Sequence, residues 1–95
     1  MRKTVAIGLL CLAGCVAAPV QEMSDARQAV RAAQAEGAAE RAPQEFGAAL
    51  EFVIQAEGYL ERRAYRPARD SAIEARRMAI RALEIARASR GDGTP

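Results

Sequence analysis

Apolar residues in the middle of the chain recur with the period of an α-helix. On a wheel of about 100° per residue, they gather on one face of a segment that runs from about Pro43 to Arg62. Pro43 suits the first position of a helix, because that position needs no backbone N–H donor. The pattern predicts an amphipathic helix with a buried apolar face. The residues of that face are Phe46, Ala49, Leu50, Val53, Ala56 and Leu60.

A following segment, from Pro67 to about Arg90, carries alanines spaced alternately by four and three residues. This spacing places their methyl groups in one stripe along a helix. Small side chains let a neighbouring helix approach closely. Because the break before Pro67 is short, the preceding helix is expected to be that neighbour and to run antiparallel. The stripe consists of Ala68, Ala72, Ala75, Ala79, Ala82 and Ala86.

A first helix is predicted before these two, from an N-cap at Ser24 to about Glu40. Its only large apolar residues are Met23 and Val30, and Gly37 weakens its end, so it is expected to be weakly held. The predicted fold class is all-α. It is either a three-helix antiparallel bundle or a helical hairpin with a preceding helix.

Four larger apolar residues fall outside the two predicted core faces. Phe52 and Tyr59 lie on the back of the second predicted helix, and Ile73 and Ile80 lie beside the alanine stripe of the third. In one interpretation the first helix covers one pair and the other pair is scattered surface. In the other, the four residues form a face for a partner or a second copy, which a small core would favour.

The N-terminus has the pattern of a bacterial export signal. Residues 1–4 include Arg2 and Lys3, and residues 5–12 form an apolar stretch too short to span a bilayer permanently. Two alternatives to a lipoprotein signal exist. One is an ordinary signal peptide with an incidental cysteine, and the other is an apolar core strand. The sequence predicts a signal peptide over residues 1–14, a lipidated tether over 15–22, a helical domain over 23–90 and a disordered tail over 91–95.

The signal ends in Leu12-Ala13-Gly14-Cys15, which looks like the bacterial lipobox. The thiol of Cys15 would take a diacylglyceryl group as a thioether. Small residues at Ala13 and Gly14 would let the peptidase reach the bond before Cys15, and Leu12 would fill an apolar subsite. The pattern predicts that Cys15 is the membrane anchor.

Charge and composition narrow the function. The formal net charge is +2, but the loss of Arg2 and Lys3 with the signal leaves 12 basic against 12 acidic residues, intermixed along the chain. No nucleic-acid partner is therefore expected. Histidine is absent, and no glycine-rich phosphate loop or Cys-x-x-Cys pair occurs, so neither enzyme activity, a cofactor nor a metal is expected. Cys11 lies in the signal, which leaves Cys15 without a disulfide partner.

Three short motifs follow the lipobox: Ser24-Asp25-Ala26-Arg27-Gln28-Ala29, Ala42-Pro43-Gln44-Glu45-Phe46 and Tyr65-Arg66-Pro67-Ala68-Arg69. Together with the lipobox they resemble the small envelope lipoproteins of the domain of unknown function 4398 family. The resemblance implies an all-helical, tetratricopeptide-like hairpin with a preceding helix, in Gram-negative bacteria, and no established activity. The sequence departs from the family in having Ala64, where glycine is commoner before the aromatic residue of the turn.

Two functions follow as expectations. The first is a non-catalytic module that scaffolds an envelope assembly, with an envelope protein or a second copy as partner. It would be lipid-anchored at the periplasmic face of the outer membrane, because Val16 rather than aspartate follows Cys15. The second is a murein-type coiled-coil lipoprotein that contacts the cell wall non-covalently. Pro43 and Pro67 oppose a continuous coiled coil, and covalent attachment through a C-terminal lysine is excluded because Lys3 is the only lysine.

Overall fold

The computed structural model describes residues 17–92, and within that range it contains four helices and no strand. We number them α1 to α4, and α2 is a single short turn. The predicted all-α fold class is confirmed. The helices are α1 Val20–Ala35, α2 Ala38–Arg41, α3 Pro43–Glu61 and α4 Tyr65–Asp92.

The start of α1 lies four residues before the predicted N-cap at Ser24. Pro19 precedes the helix with φ −79° and ψ 64°, which is the geometry of an inverse γ-turn. The Val20 N–H donates to the Ala18 carbonyl at 2.8 Å, and the Met23 N–H donates to the Pro19 carbonyl at 3.0 Å. The γ-turn satisfies the Val20 N–H, and the Pro19 carbonyl accepts the first intrahelical bond, so the helix begins at Val20 with no side-chain cap. The expected N-cap at Ser24 is therefore wrong, and the last three residues of the expected tether are helical.

Gly37 divides the first predicted helix into α1 and α2. Its φ of 84° lies in the left-handed region, which glycine adopts at little cost. The Gly37 N–H donates to the Gln34 carbonyl at 3.0 Å, and the Gly37 carbonyl accepts from Arg41 at 3.0 Å. The expectation of one helix up to Glu40 did not include this break, which redirects the chain into α3.

The reversal between α3 and α4 is a Schellman motif built without glycine. The Ala64 N–H donates to the Tyr59 carbonyl at 2.9 Å, and the Arg63 N–H donates to the Leu60 carbonyl at 2.9 Å. Arg63, with φ of 60°, occupies the left-handed position. Ala64 is not the residue with positive φ, so alanine in place of the family's commoner glycine fits this turn.

The bounds of α3 and α4 agree with the sequence to within a few residues. Pro43 is the first residue of α3, as predicted. α4 begins at Tyr65, so that Pro67 lies in the first turn, where a backbone donor has no partner within the helix. At its other end α4 continues through Gly91 to Asp92. The predicted tail from residue 91 therefore starts too early, and its last three residues lie outside the described range.

Replacing Arg63 with glycine is expected to stabilise the domain by about 0.5–1 kcal/mol. A left-handed conformation costs a residue with a Cβ roughly 1–2 kcal/mol, and the added flexibility of glycine in the unfolded chain offsets about half of that. The measurement is the free energy of unfolding in urea. The matched control is Arg62→Gly, because Arg62 has φ of −90°. The control should not be stabilised, and a destabilised Arg63→Gly variant would contradict the account.

The alanine stripe forms the centre of the core. All six predicted alanines of α4 have no exposed surface. On α3, Phe46 clusters with Ala82 and Ala86, whereas Ala56 clusters with Ala72 and Ala75. α3 therefore runs antiparallel to α4, as predicted.

α1 packs along the same stripe and runs parallel to α4. Met23, Ala26 and Ala33 are buried against the other helices. Near the start of both helices, Glu22 pairs with Arg69 at 3.5 Å, and near their ends Glu36 pairs with Arg90 at 2.9 Å. The three long helices thus form an up-down-up bundle. Met23 is the largest of these buried residues, and its burial contributes about 1.5–3 kcal/mol to the packing of α1.

Leu50 departs from the predicted core face. It is 40 % exposed, whereas Phe46, Ala49 and Ala56 on the same helix are buried. At the close approach that the alanines of α4 permit, the middle of the contact accepts only small side chains. Larger residues of α3 therefore lie to the sides. Val53 and Leu60 are partly buried against the core there, and Leu50 faces solvent.

Candidate functional site

Three of the four apolar residues predicted as a partner face lie along two different helix contacts. Phe52 packs against the core cluster that contains Met23, Ala56 and Ala72. It lies beside Gln55, whose Oε1 accepts a 3.0 Å hydrogen bond from Ser71 Oγ of α4, and so it marks the contact between α3 and α4. The expectation that Phe52 lies off the core is wrong. Tyr59, two helical turns further along the same helix, is half-buried, with Arg62 5.1 Å above its ring centre.

Ile73 and Ile80 lie instead along the contact between α1 and α4. Each lines one of two adjoining surface depressions that share Asp25 and Arg76. The depressions have volumes of about 340 Å³ and 260 Å³. We call this surface the seam groove. Its other lining residues are Glu22, Gln28, Ala29, Ala32, Ala72 and Leu83.

The seam groove combines apolar walls with a charged rim. Ile73 is 41 % exposed and Ile80 is partly buried, while Glu22 is engaged by Arg69. The groove has the chemistry of a contact surface, and the partner role predicted for Ile73 and Ile80 stays a prediction.

A second apolar surface was missed by the sequence reasoning. Ile54 is 66 % exposed and Leu50 is 40 % exposed, and they lie one helical turn apart on the same side of α3. We call these two residues the α3 apolar face. Gly47 and Gly58 lie one turn to either side, and a Cβ at Gly47 would meet no atom within 4 Å. One feature of the sequence could have indicated this surface, because Ile54 is a large β-branched residue that lies off the predicted core face.

Charged side chains connect the helices at the bundle's exterior. Arg27 of α1 donates to Glu57 of α3 at 2.9 Å, with both side chains 46 % exposed. Such an exposed pair contributes less than about 1 kcal/mol. Glu36 at the end of α1 lies 3.5 Å from Arg87 and 2.9 Å from Arg90. These ion pairs set the position of α1 along α3 and α4, and they contribute little to the stability of the bundle.

Comparison with known families identifies the helical part of the chain. A family model described as Domain of unknown function (DUF4398) matches residues 21–92, well over half of the 95-residue chain. The chain belongs to the DUF4398 family. The resemblance predicted from the sequence is confirmed. No curated protein and no solved structure matches the chain.

The DUF4398 match covers the whole helical bundle except its first helical residue. The family assignment therefore refers to the bundle and leaves the lipobox outside it. Leu12, Ala13, Gly14 and Cys15 precede the described residues as well. Their predicted role in lipid attachment stays a prediction.

Two further features of the described part of this DUF4398 chain bear on its chemistry. Within residues 17–92, no cluster of three or more acidic, cysteine or histidine side chains is arranged to hold a metal ion. Over the same range, every helix is too short or too polar to cross a bilayer.

Proposed function

We propose that this DUF4398 protein is a lipid-anchored, non-catalytic interaction module of the bacterial envelope, held through Cys15 at the periplasmic face of the outer membrane. The observation that carries the proposal is the α3 apolar face, where Leu50 and Ile54 are exposed on a bundle whose core is already closed. Single exposed apolar residues are common, but adjacent ones on a rigid helix suit a protein contact.

Anchoring by lipid rests on the N-terminal pattern. Cys15 ends a stretch with the basic start, apolar middle and small residues of a lipoprotein signal. With two or three acyl chains, at about 0.8 kcal/mol per buried methylene, the anchor would hold the mature chain permanently. α1 begins only five residues after Cys15, so the module would stay close to the bilayer.

The chain reversals favour an interaction module over a murein-type coiled coil. Gly37 and Arg63 both adopt positive φ, and each ends a helix. A coiled coil that bridges membrane and wall needs helices that continue over many heptads. Compact helical pairs, in contrast, are widely used as protein-binding scaffolds.

Site-specific cross-linking in living cells tests the contact. A photoreactive amino acid at Glu51, which is exposed beside Leu50, should give one discrete adduct with an envelope protein or a second copy. The double variant Leu50→Gln, Ile54→Gln should lose that adduct because the apolar contact is removed. Each substitution should change the free energy of unfolding by no more than about 0.5 kcal/mol, because neither side chain is in the core.

The matched control places the same photoreactive group at Ala88, which is exposed on α4. An adduct formed only from position 51 and lost in the double variant supports the proposal. Adducts of equal yield from both positions, or an adduct that persists in the double variant with unchanged helicity, would rule out the α3 apolar face as the contact.

A further inference from the structure

An exposed basic turn lies at the end of the bundle where the N-terminus enters. Arg62, Arg63 and Arg66 are all exposed, and within residues 17–92 none of them pairs with a carboxylate. We call these three residues the arginine turn. Glu61 and Asp70 are the nearby exposed acids, so the turn retains a positive excess.

A shared surface depression places the arginine turn near the start of α1. Ala18, Pro19 and Val20 line a small depression of about 150 Å³ together with Leu60, the residue two positions before Arg62. Val20 at the rim of this depression is 73 % exposed. The N-terminal entry, an exposed valine and three arginines therefore share one end of the bundle.

The short segment between Cys15 and the bundle limits the distance from Cys15 to the end where the N-terminus enters. Ala17 is two residues after Cys15, and two extended residues span at most about 7 Å. A lipid on Cys15 would therefore hold the bilayer surface within reach of the arginine turn. The first residue of α4 is about 34 Å from Ala88 along the helix. The end of the bundle that contains Ala88 would therefore lie far from the bilayer surface.

The side chains at this end have the chemistry of a membrane interface. Guanidinium groups bind phosphate oxygens, and basic residues near an anionic surface are attracted within roughly one Debye length, about 8–10 Å. Tyr59 and Tyr65, both half-buried next to the turn, are of the type that collects at the headgroup level. Val20 adds an apolar contact.

We propose that the arginine turn binds the headgroups of anionic phospholipids. The end of the bundle that carries the lipid anchor then contacts the membrane surface. This proposal rests on the proposed anchoring through Cys15. It gives the module a defined orientation, with α4 directed away from the bilayer and the α3 apolar face open to the side.

The test uses the mature lipoprotein in vesicles of two compositions. One contains phosphatidylcholine alone, and the other contains equal parts of phosphatidylcholine and phosphatidylglycerol. Because Cys15 is acylated and Cys11 is lost with the signal, a fluorophore on Glu61→Cys or on Ala88→Cys labels one site only. Quenching by a nitroxide on lipid headgroups then reports how close each site lies to the surface.

Quenching at position 61 is expected to rise strongly in the phosphatidylglycerol vesicles and to fall with added salt, whereas position 88 should stay unquenched in both. Three arginines together shift the ratio of docked to undocked bundle by on the order of a hundredfold. The variant Arg62→Gln, Arg63→Asn, Arg66→Gln should abolish the rise. Asparagine is chosen at position 63 because it tolerates positive φ.

A charge-matched control neutralises Arg31, Arg41 and Arg81 instead, which are exposed at a distance from the turn. It should keep the rise at position 61. Flotation of the chain with the vesicles shows that the anchor is intact. In that case, equal quenching in both vesicle types, or a rise that persists in the arginine-turn variant, would overturn the inference about the arginine turn. Failure of the chain to float would overturn the anchoring and this inference together.

Discussion

Replacing Cys15 with alanine is expected to stop maturation completely. Without the thiol no thioether to diacylglycerol forms, and a lipoprotein peptidase that recognises the lipidated cysteine has no substrate. The precursor should keep its first fourteen residues and take up no labelled fatty acid. The measurement is the mass of the protein from cells together with incorporation of radiolabelled palmitate.

Cys11 provides the matched control for this experiment. It lies four residues earlier in the same apolar stretch, and Cys11→Ala changes the same functional group at a position outside the lipobox. The control should mature and take up label normally. A Cys15→Ala protein that is cleaved and labelled like the parent would show that the lipobox interpretation is wrong.

Replacing Ala79 with leucine is expected to lower the free energy of unfolding by roughly 1–3 kcal/mol. Ala79 has no exposed surface and lies in the middle of the stripe, between two partner helices. Three additional carbon atoms would force α3 or α1 away from α4, and overpacking of this kind is destabilising although leucine is more apolar. Urea unfolding followed by circular dichroism measures the change.

The comparison is Ala88→Leu on the same helix. Ala88 is exposed, so the leucine there points into solvent and should change the stability by no more than about 0.5 kcal/mol. Both variants introduce the same side chain with the same helix propensity. If the two variants unfold at the same urea concentration, the stripe is not the packed centre of the bundle.

The helices themselves were predictable because local chemistry specifies them. Within a helix, Pro43 fits only near the start. The four-three spacing of the alanines from Ala68 to Ala86 places them on one helix face, independently of which element packs against that face. The start of α1 was missed because Pro19 uses a backbone γ-turn in place of a side-chain cap. The turn at Arg63 was unpredictable for a similar reason, since arginine gives no sign of a left-handed conformation.

The surface of α3 could not be assigned from periodicity alone. A helical wheel placed Leu50 inside and Phe52 outside, whereas Leu50 is 40 % exposed and Phe52 packs against the core. Two long helices, α1 and α4, contact α3, so the buried region of α3 is wider than one stripe. The centre of that region is therefore displaced from the direction that the helical wheel predicts. Ile54 and Leu50 became a candidate site only when the positions of both neighbours were known.

The amino-acid sequence by itself determined the three long helices, the stripe on α4 and the signal-like N-terminus, because these depend on spacing and on the chemistry of single residues. The tertiary structure decided which apolar residues remain outside. Close packing on alanine leaves room for only small side chains between the helix axes, and it displaces Leu50 and Ile54 to the exterior. It also decided that the arginine turn shares one end with the N-terminal entry, since that proximity arises from the antiparallel course of α1 and α3.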